Sequence, residues 1–324
     1  MRAASLLVLA CLVATSGAEA KRLHLRRPTR GFQMRMESFV VPPGEDREGC
    51  EYMVTPNRKP MDVAAFELKT TPGTHHFVVW EYLGRDRDPA NFWSGIKYSP
   101  GCVGLGPQDG FATAADLFGM LTSHVRFHFP RGVAVQLEPH TTIYANLHYH
   151  DYLTTPVATD AVFNFIPARQ GTVKHHAQNF LVGSTQIDIP PESSASLTGE
   201  WHTSVDLNLV ALSTHEHHRG TLVSVHEVDE AGNDLGELVS SPNWEHPTVR
   251  WWSQALRLPA GSGLRFTCEW QNPDTHAVHF GVTTEDEMCF VGGYFYPDDD
   301  SAHPTVPGCR SPGGSGLECF VPKR

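Results

Sequence analysis

Val205-Asp206-Leu207-Asn208-Leu209-Val210-Ala211-Leu212-Ser213-Thr214-His215-Glu216-His217 is the stretch on which the fold reading turns. Its apolar run ends in two histidines one residue apart, and no Gly or Pro interrupts it. Residues i and i+2 of a strand project from the same face, so a strand here aims both imidazoles at one point. Outward from it, short apolar runs of mostly period two recur: Phe39-Val41, Val63-Phe66, Phe77-Trp80, Val133-Leu137, Ile143-His148, Val162-Ile166 and Leu222-Val228. Turn residues separate them, among them Pro42-Pro43-Gly44, Thr71-Pro72-Gly73, Pro130-Arg131-Gly132 and Ala231-Gly232-Asn233. Many short strands between Pro/Gly turns predict an all-β chain of antiparallel β-sandwiches. Only Ala112-Leu121 reads as helix.

Pro167-Ala168-Arg169-Gln170-Gly171 follows a strand and carries Pro and Gly, which predicts a boundary between domains at 30–168 and 169–324. The stretch after Pro297 is rich in Asp, Pro, Gly and Ser and reads as an irregular tail. The formal charge is −11, with no basic stripe to neutralise phosphates, so nucleic acid is not an expected partner.

The first 20 residues read as a secretory signal: Arg2, an apolar Ser5-Ala14, then Ala18-Glu19-Ala20 as a cleavage site. Lipid attachment at Cys11, after Val8-Leu9-Ala10, is the alternative. No later apolar run reaches the ~20 residues that span a bilayer. The expected location is the secretory lumen, the exterior or a periplasm. Of seven cysteines, six follow the signal: Cys50, Cys102, Cys268, Cys289, Cys309 and Cys319. An even number in an exported chain reads as disulfides. Many pairings are open, and order along the chain favours Cys50–Cys102, Cys268–Cys289 and Cys309–Cys319. An export compartment lacks NADH, so an oxidative enzyme there needs another reductant.

The chain holds 19 histidines, so chance pairs are expected. His215-Glu216-His217 alone is compatible with two exposed strand histidines, and His148-Tyr149-His150 shares that spacing. His75 and His76 are adjacent and can meet one metal only at a bend or strand end, which Thr71-Pro72-Gly73 supplies. Met288, in Glu285-Asp286-Glu287-Met288-Cys289-Phe290, reads as core unless Cys289 pins it in place. Imidazoles suit copper, zinc, iron and nickel, and a thioether suits Cu(I). A histidine-only set before the boundary and a histidine–methionine set after it therefore point to two copper sites of unequal softness. No G-x-S-x-G and no H-E-x-x-H is present.

Together these segments resemble the copper type II, ascorbate-dependent monooxygenases from about Phe39 to Pro297. Thr71-Pro72-Gly73 with His75-His76 resembles the family's HH motif, and Leu147-His148-Tyr149-His150 its V-H-Y-H segment. Thr214-His215-Glu216-His217 with Gly220 is similar to its H-T-H strand, and Asp286-Glu287-Met288-Cys289 to its D/E-E-M-C motif. The resemblance implies two tandem jelly-roll-like β-sandwich domains with one copper each. It places His75, His76 and His148 on an electron-storing copper. It places His215, His217 and Met288 on the copper that meets dioxygen, across an open cleft. It implies C–H hydroxylation of a small molecule with O₂ and ascorbate or a similar one-electron reductant, and disulfides Cys50–Cys102 and Cys268–Cys289.

Peptide-amidating members carry an Arg where this chain has Ser213, and Asn and Tyr where it has Phe290 and Gly292. A peptide carboxylate thus lacks its anchors, and amidation is not expected. The alternatives are a non-catalytic copper-binding or copper-delivery protein, and a disulfide-stapled adhesion or carbohydrate-binding module that binds no copper. Substrate, reductant and oligomeric state are not encoded in any motif.

Overall fold

The computed structural model describes residues 22–82, 92–98, 114–120, 122–150, 153–281, 285–297 and 317–320. The expected signal, Cys102 and Cys309 lie outside them. The described residues are all-β, with no helix among them.

In the first half, a six-stranded sheet runs in the order Phe32–Met36, Ala161–Pro167, Met61–Thr70, Val133–Leu137, His175–His176, with His124–His128 also paired to Met61–Thr70. A five-stranded sheet faces it, in the order Lys97–Tyr98, Asp46–Val54, Thr142–His150, Thr74–Tyr82, Ala114–Met120. Inward side chains from both sheets, including Phe66, Leu68 and Phe163 from one and Phe77, Val79 and Ile143 from the other, make one core. The second half repeats the plan. Val249–Leu258, Leu207–His215, Phe290–Pro297, Gln178–Ser184 and Leu317–Phe320 form one sheet. Ser193–His202, Gly263–Asn272, Gly220–Val228 and Asp234–Ser241 form the other. Phe180, Leu212, Val291 and Phe295 pack there against Val223, Val225, Leu264 and Phe266.

The helix expected at Ala112-Leu121 is instead the strand Ala114–Met120, at the sheet edge beside Thr74–Tyr82. So short a helix carries a nucleation cost that propensity alone does not offset. Pairing satisfies the backbone and lets Leu117 and Phe118 be buried.

The strand Leu207–His215 explains its own unbroken apolar run. Its register shifts between Leu209 and Ala211 on both flanking strands, a bulge that reorients the residues after it. Leu207, Leu209 and Leu212 enter the second core, while Val210 and Ala211 join the first. From Leu209 to Leu212 both faces are therefore buried, which is why that stretch is apolar without alternation. The two halves meet there: Trp251 stacks on Phe127 at 4.6 Å, and the Tyr294 hydroxyl donates to the Leu117 carbonyl. His175–His176 pairs in parallel with Val133–Leu137, so first-half pairing continues past Pro167.

Candidate metal centre

His76 and His148 sit opposite each other on neighbouring antiparallel strands. The next pair along is Tyr149 with Thr74, so His75 is an extra residue in the ladder. Such a bulge bends the strand and breaks strict alternation, which lets adjacent histidines turn toward one point. Gly73 sets up the bend at φ +89°, and a Cβ there would sit 2.9 Å from the Tyr149 hydroxyl, which donates to the Pro72 carbonyl. The ring centroids of His75, His76 and His148 lie 5.0–5.4 Å apart. One ligating nitrogen from each comes within 4.8 Å of the others.

Hydrogen bonds select which nitrogen is free. The His148 Nε2 meets Asp46 Oδ1, an oxygen that can only accept, so Nε2 carries the proton. The Asn146 side chain donates through Nδ2 to Glu48 at 2.7 Å, which turns its Oδ1 toward His76 Nε2 at 2.8 Å. On both rings the Nδ1 lone pair remains for a ligand. Burial raises the pKa of Asp46 and Glu48, but hydrogen bonds and charge from His148 and His76 outweigh it and hold both below the usual range. His75 is pushed down to about 2, first by burial and then by the neighbouring imidazoles of His76, His148, His215 and His217. Three imidazoles whose ligating nitrogens gather this closely are what a metal needs, so these residues fit one.

The second group forms where Leu207–His215 ends. His215 pairs with Phe290, and the chain then turns, with the Gly220 N–H donating to the His217 carbonyl at 2.9 Å. The His215 and His217 rings are 5.1 Å apart. His217 Nδ1 lies 3.0 Å from the Asp286 carbonyl, an acceptor, which leaves Nε2 free. Burial holds His215 well below its ordinary value and His217 down to about 4, although the Asp286 carbonyl pulls His217 upward.

Glu287 joins this turn to the methionine segment. It is fully buried and accepts the backbone N–H of His217, Arg219 and Met288, and the Trp270 indole N–H. Met288 is buried, and the next residue bonds across the two sheets as Cys268–Cys289. Cys50 is also disulfide-bonded. Its expected partner Cys102 lies outside the described residues, as do Cys309 and the side chain of Cys319.

Glu216 points away from its histidine neighbours. Gly220 accommodates it, since a Cβ there would fall 2.1 Å from the Glu216 carboxyl carbon. Its oxygens have no hydrogen-bond partner, and burial, then Glu287 and Glu269, push its carboxyl up to about 8.

Trp244, on the loop between Asp234–Ser241 and Val249–Leu258, lies 5.2 Å from the His75 ring and 6.3 Å from His218. The sequence reading missed Asp46, Glu48, Asn146 and Trp244, and named Glu287 only within the motif around Met288. For three of these a signal existed: Asp46 and Glu48 share a strand face with Cys50, and Asn146 shares one with His148. Trp244 is a loop residue brought in by folding, and no local pattern marks it.

Residues 176–312 match the family model described as copper type II ascorbate-dependent monooxygenase, C-terminal domain. No curated protein matches the chain. Among solved structures, the PBSX exported protein XepA is 8% identical, over 74% of this chain and 86% of that one, with a TM-score of 0.21. The triple jelly roll protein of an archaeal virus is 10% identical, over 84% and 60%, with a TM-score of 0.20. Likeness that faint carries no argument.

Proposed function

We propose, on the premise that residues 176–312 are the C-terminal domain of a copper type II ascorbate-dependent monooxygenase, that this chain is an exported dicopper enzyme hydroxylating a C–H bond of a small organic substrate. O₂ and ascorbate, or a similar one-electron reductant, are its co-substrates. Its units are two jelly-roll-like domains, 30–168 and 169–324. The observation that carries the reading lies outside the matched segment: the convergence of His75, His76 and His148, with Nε2 of His76 and His148 already engaged.

When bound, copper supplies one-electron redox chemistry and dioxygen activation. The protein supplies position. His75, His76 and His148 hold the first ion, and His215, His217 and Met288 the second. The Asp286 carbonyl keeps the proton of His217 on Nδ1, and Glu287 holds His217 and Met288 on one carboxylate. Trp244 sets an aromatic ring beside His75 and near His218, which supports an apolar or aromatic substrate.

Peptide amidation is not part of the proposal. Ser213 pairs with Gly292, and Phe290 is buried, so these positions offer no cation to a carboxylate. Export is supported by the Cys268–Cys289 disulfide and the amino-terminal segment.

The test is copper stoichiometry on purified protein, then ascorbate-driven O₂ uptake with phenethylamines, glycine-extended peptides and simple aromatics. Two coppers per chain and substrate-dependent uptake are expected. Copper without O₂ consumption on any substrate would favour a copper-binding role, and no stoichiometric copper would overturn both.

A further inference from the structure

We infer that Asp46 and Glu48 are positioning residues that set the first metal site to prefer the oxidised ion, and so order the two sites in potential. The inference rests on the copper reading above and goes beyond ligand identity.

The two groups differ in what stands behind the ligands. In the first, the His148 proton points at an anionic carboxylate, while the His76 Nε2 faces the Asn146 amide oxygen with a carboxylate behind it. Asp46 takes His148 directly; Glu48 lies 3.8 Å from His76 and reaches it also through the Asn146 amide. Both acids come from Asp46–Val54, whose register sets Glu48 opposite His148 and Asp46 opposite His150. The pairing of two strands thus places two negative charges behind one metal site.

The second group differs: the Asp286 carboxylate acts on His217 by charge, without a hydrogen bond to its ring among the described residues. His217 donates to a neutral peptide carbonyl. Glu287 is close, but its oxygens face backbone N–H groups and an indole, not a ligand ring. Glu216 lies between the two ligands in sequence, yet its oxygens have no hydrogen-bond partner. Among the described residues, no carboxylate bonds to the ring of His215 or His217.

A carboxylate behind a ligating histidine makes the imidazole a stronger donor and adds negative charge near the ion, which favours Cu(II) over Cu(I). A neutral carbonyl behind the ring, with a thioether in the ligand set, favours Cu(I). The first site is therefore the lower in potential. This preference comes from strand register and would persist with all six ligands unchanged.

Asp46→Asn and Glu48→Gln remove the charge and keep an oxygen that can accept. The full chain carrying each is loaded with copper and titrated with a Cu(II) chelator, and separately with a Cu(I) chelator. Repeating this in a His215→Ala/His217→Ala background assigns the weakened step to the first site. Far-ultraviolet circular dichroism of the metal-free variants checks the fold. If either variant is unfolded, the other decides.

The expected result is about a 10–100-fold loss of Cu(II) affinity at the first site with Cu(I) affinity little changed. Each tenfold difference raises that site's potential by about 59 mV. Equal loss in both oxidation states, as simple misplacement of the rings would cause, overturns the inference, as does no loss in either. Wild-type protein that takes up no copper overturns the functional reading and this inference with it. Wild type with two coppers and unresponsive variants overturns this inference alone.

Discussion

Glu287 accepts the backbone N–H of His217 at 3.0 Å, and the Met288 N–H lies 3.3 Å from the same carboxylate oxygen. One buried side chain thus ties the end of the histidine strand to the methionine that follows far along the chain. Removing it by Glu287→Ala leaves four buried donors without an acceptor, those of His217, Arg219, Met288 and Trp270. Each such donor costs roughly 1–3 kcal/mol, so a loss of at least about 3 kcal/mol is expected. Urea unfolding of the metal-free protein measures it. A variant within about 0.5 kcal/mol of wild type would show that Glu287 does not organise this turn.

Met288 is the only soft donor assigned to the second site. Met288→Ile keeps the apolar volume and removes the thioether, so the fold and the first site should hold. The expected outcome is loss of ascorbate-driven turnover with the His75, His76 and His148 site still loaded, read by copper analysis and O₂ uptake. Full activity in this variant would remove Met288 from the site.

Glu216 predicts a pH dependence. Its carboxyl is raised to about 8, first by burial and then by Glu287 and Glu269. In the unfolded chain it titrates near about 4.3. Between those values the folded protein holds a proton that the unfolded chain has released, so stability falls as pH rises through that window. Urea midpoints of the metal-free protein at several pH values should decline toward alkaline pH, by on the order of 5 kcal/mol in all. Glu216→Gln should flatten that decline. Parallel wild-type and variant profiles would contradict the assignment.

Val210 tests the junction of the halves. It is fully buried and belongs to the first core although its strand belongs to the second sandwich. Val210→Asp places an unpaired carboxylate there, expected to cost at least about 3 kcal/mol. Val225→Asp, within the second core, is the comparison. If the halves share a core at Val210, its substitution should expose the Phe127–Trp251 stack at their junction to fluorescence quenchers. No change in quenching would argue against that shared core.

Much of the site was legible in the residues. The H-x-H at the end of an apolar strand, the adjacent histidines after a Pro-Gly turn and the histidine one strand away are local patterns, but the bulge at His75 and the turn before His217 bring them together. The helix read at Ala112-Leu121 failed for the converse reason: apolar spacing in so short a stretch does not separate helix from strand, and the edge of a sheet claimed it. Asp46 and Glu48 carried a weak signal, being on one face with Cys50, but that the face lies beside His148 follows only from strand pairing.

The sequence by itself determined the strand content, the turns and the donor types, because side-chain alternation, φ preference and ligand chemistry belong to single residues and their near neighbours. The tertiary structure alone decided what stands behind each donor: a carboxylate at His148, an amide with a carboxylate beyond it at His76, a peptide carbonyl at His217, and Trp244 beside His75. Those relations depend on register between strands distant in the chain and on two cores meeting at one bulged strand. Many long-range pairings must be in place before any of them exists.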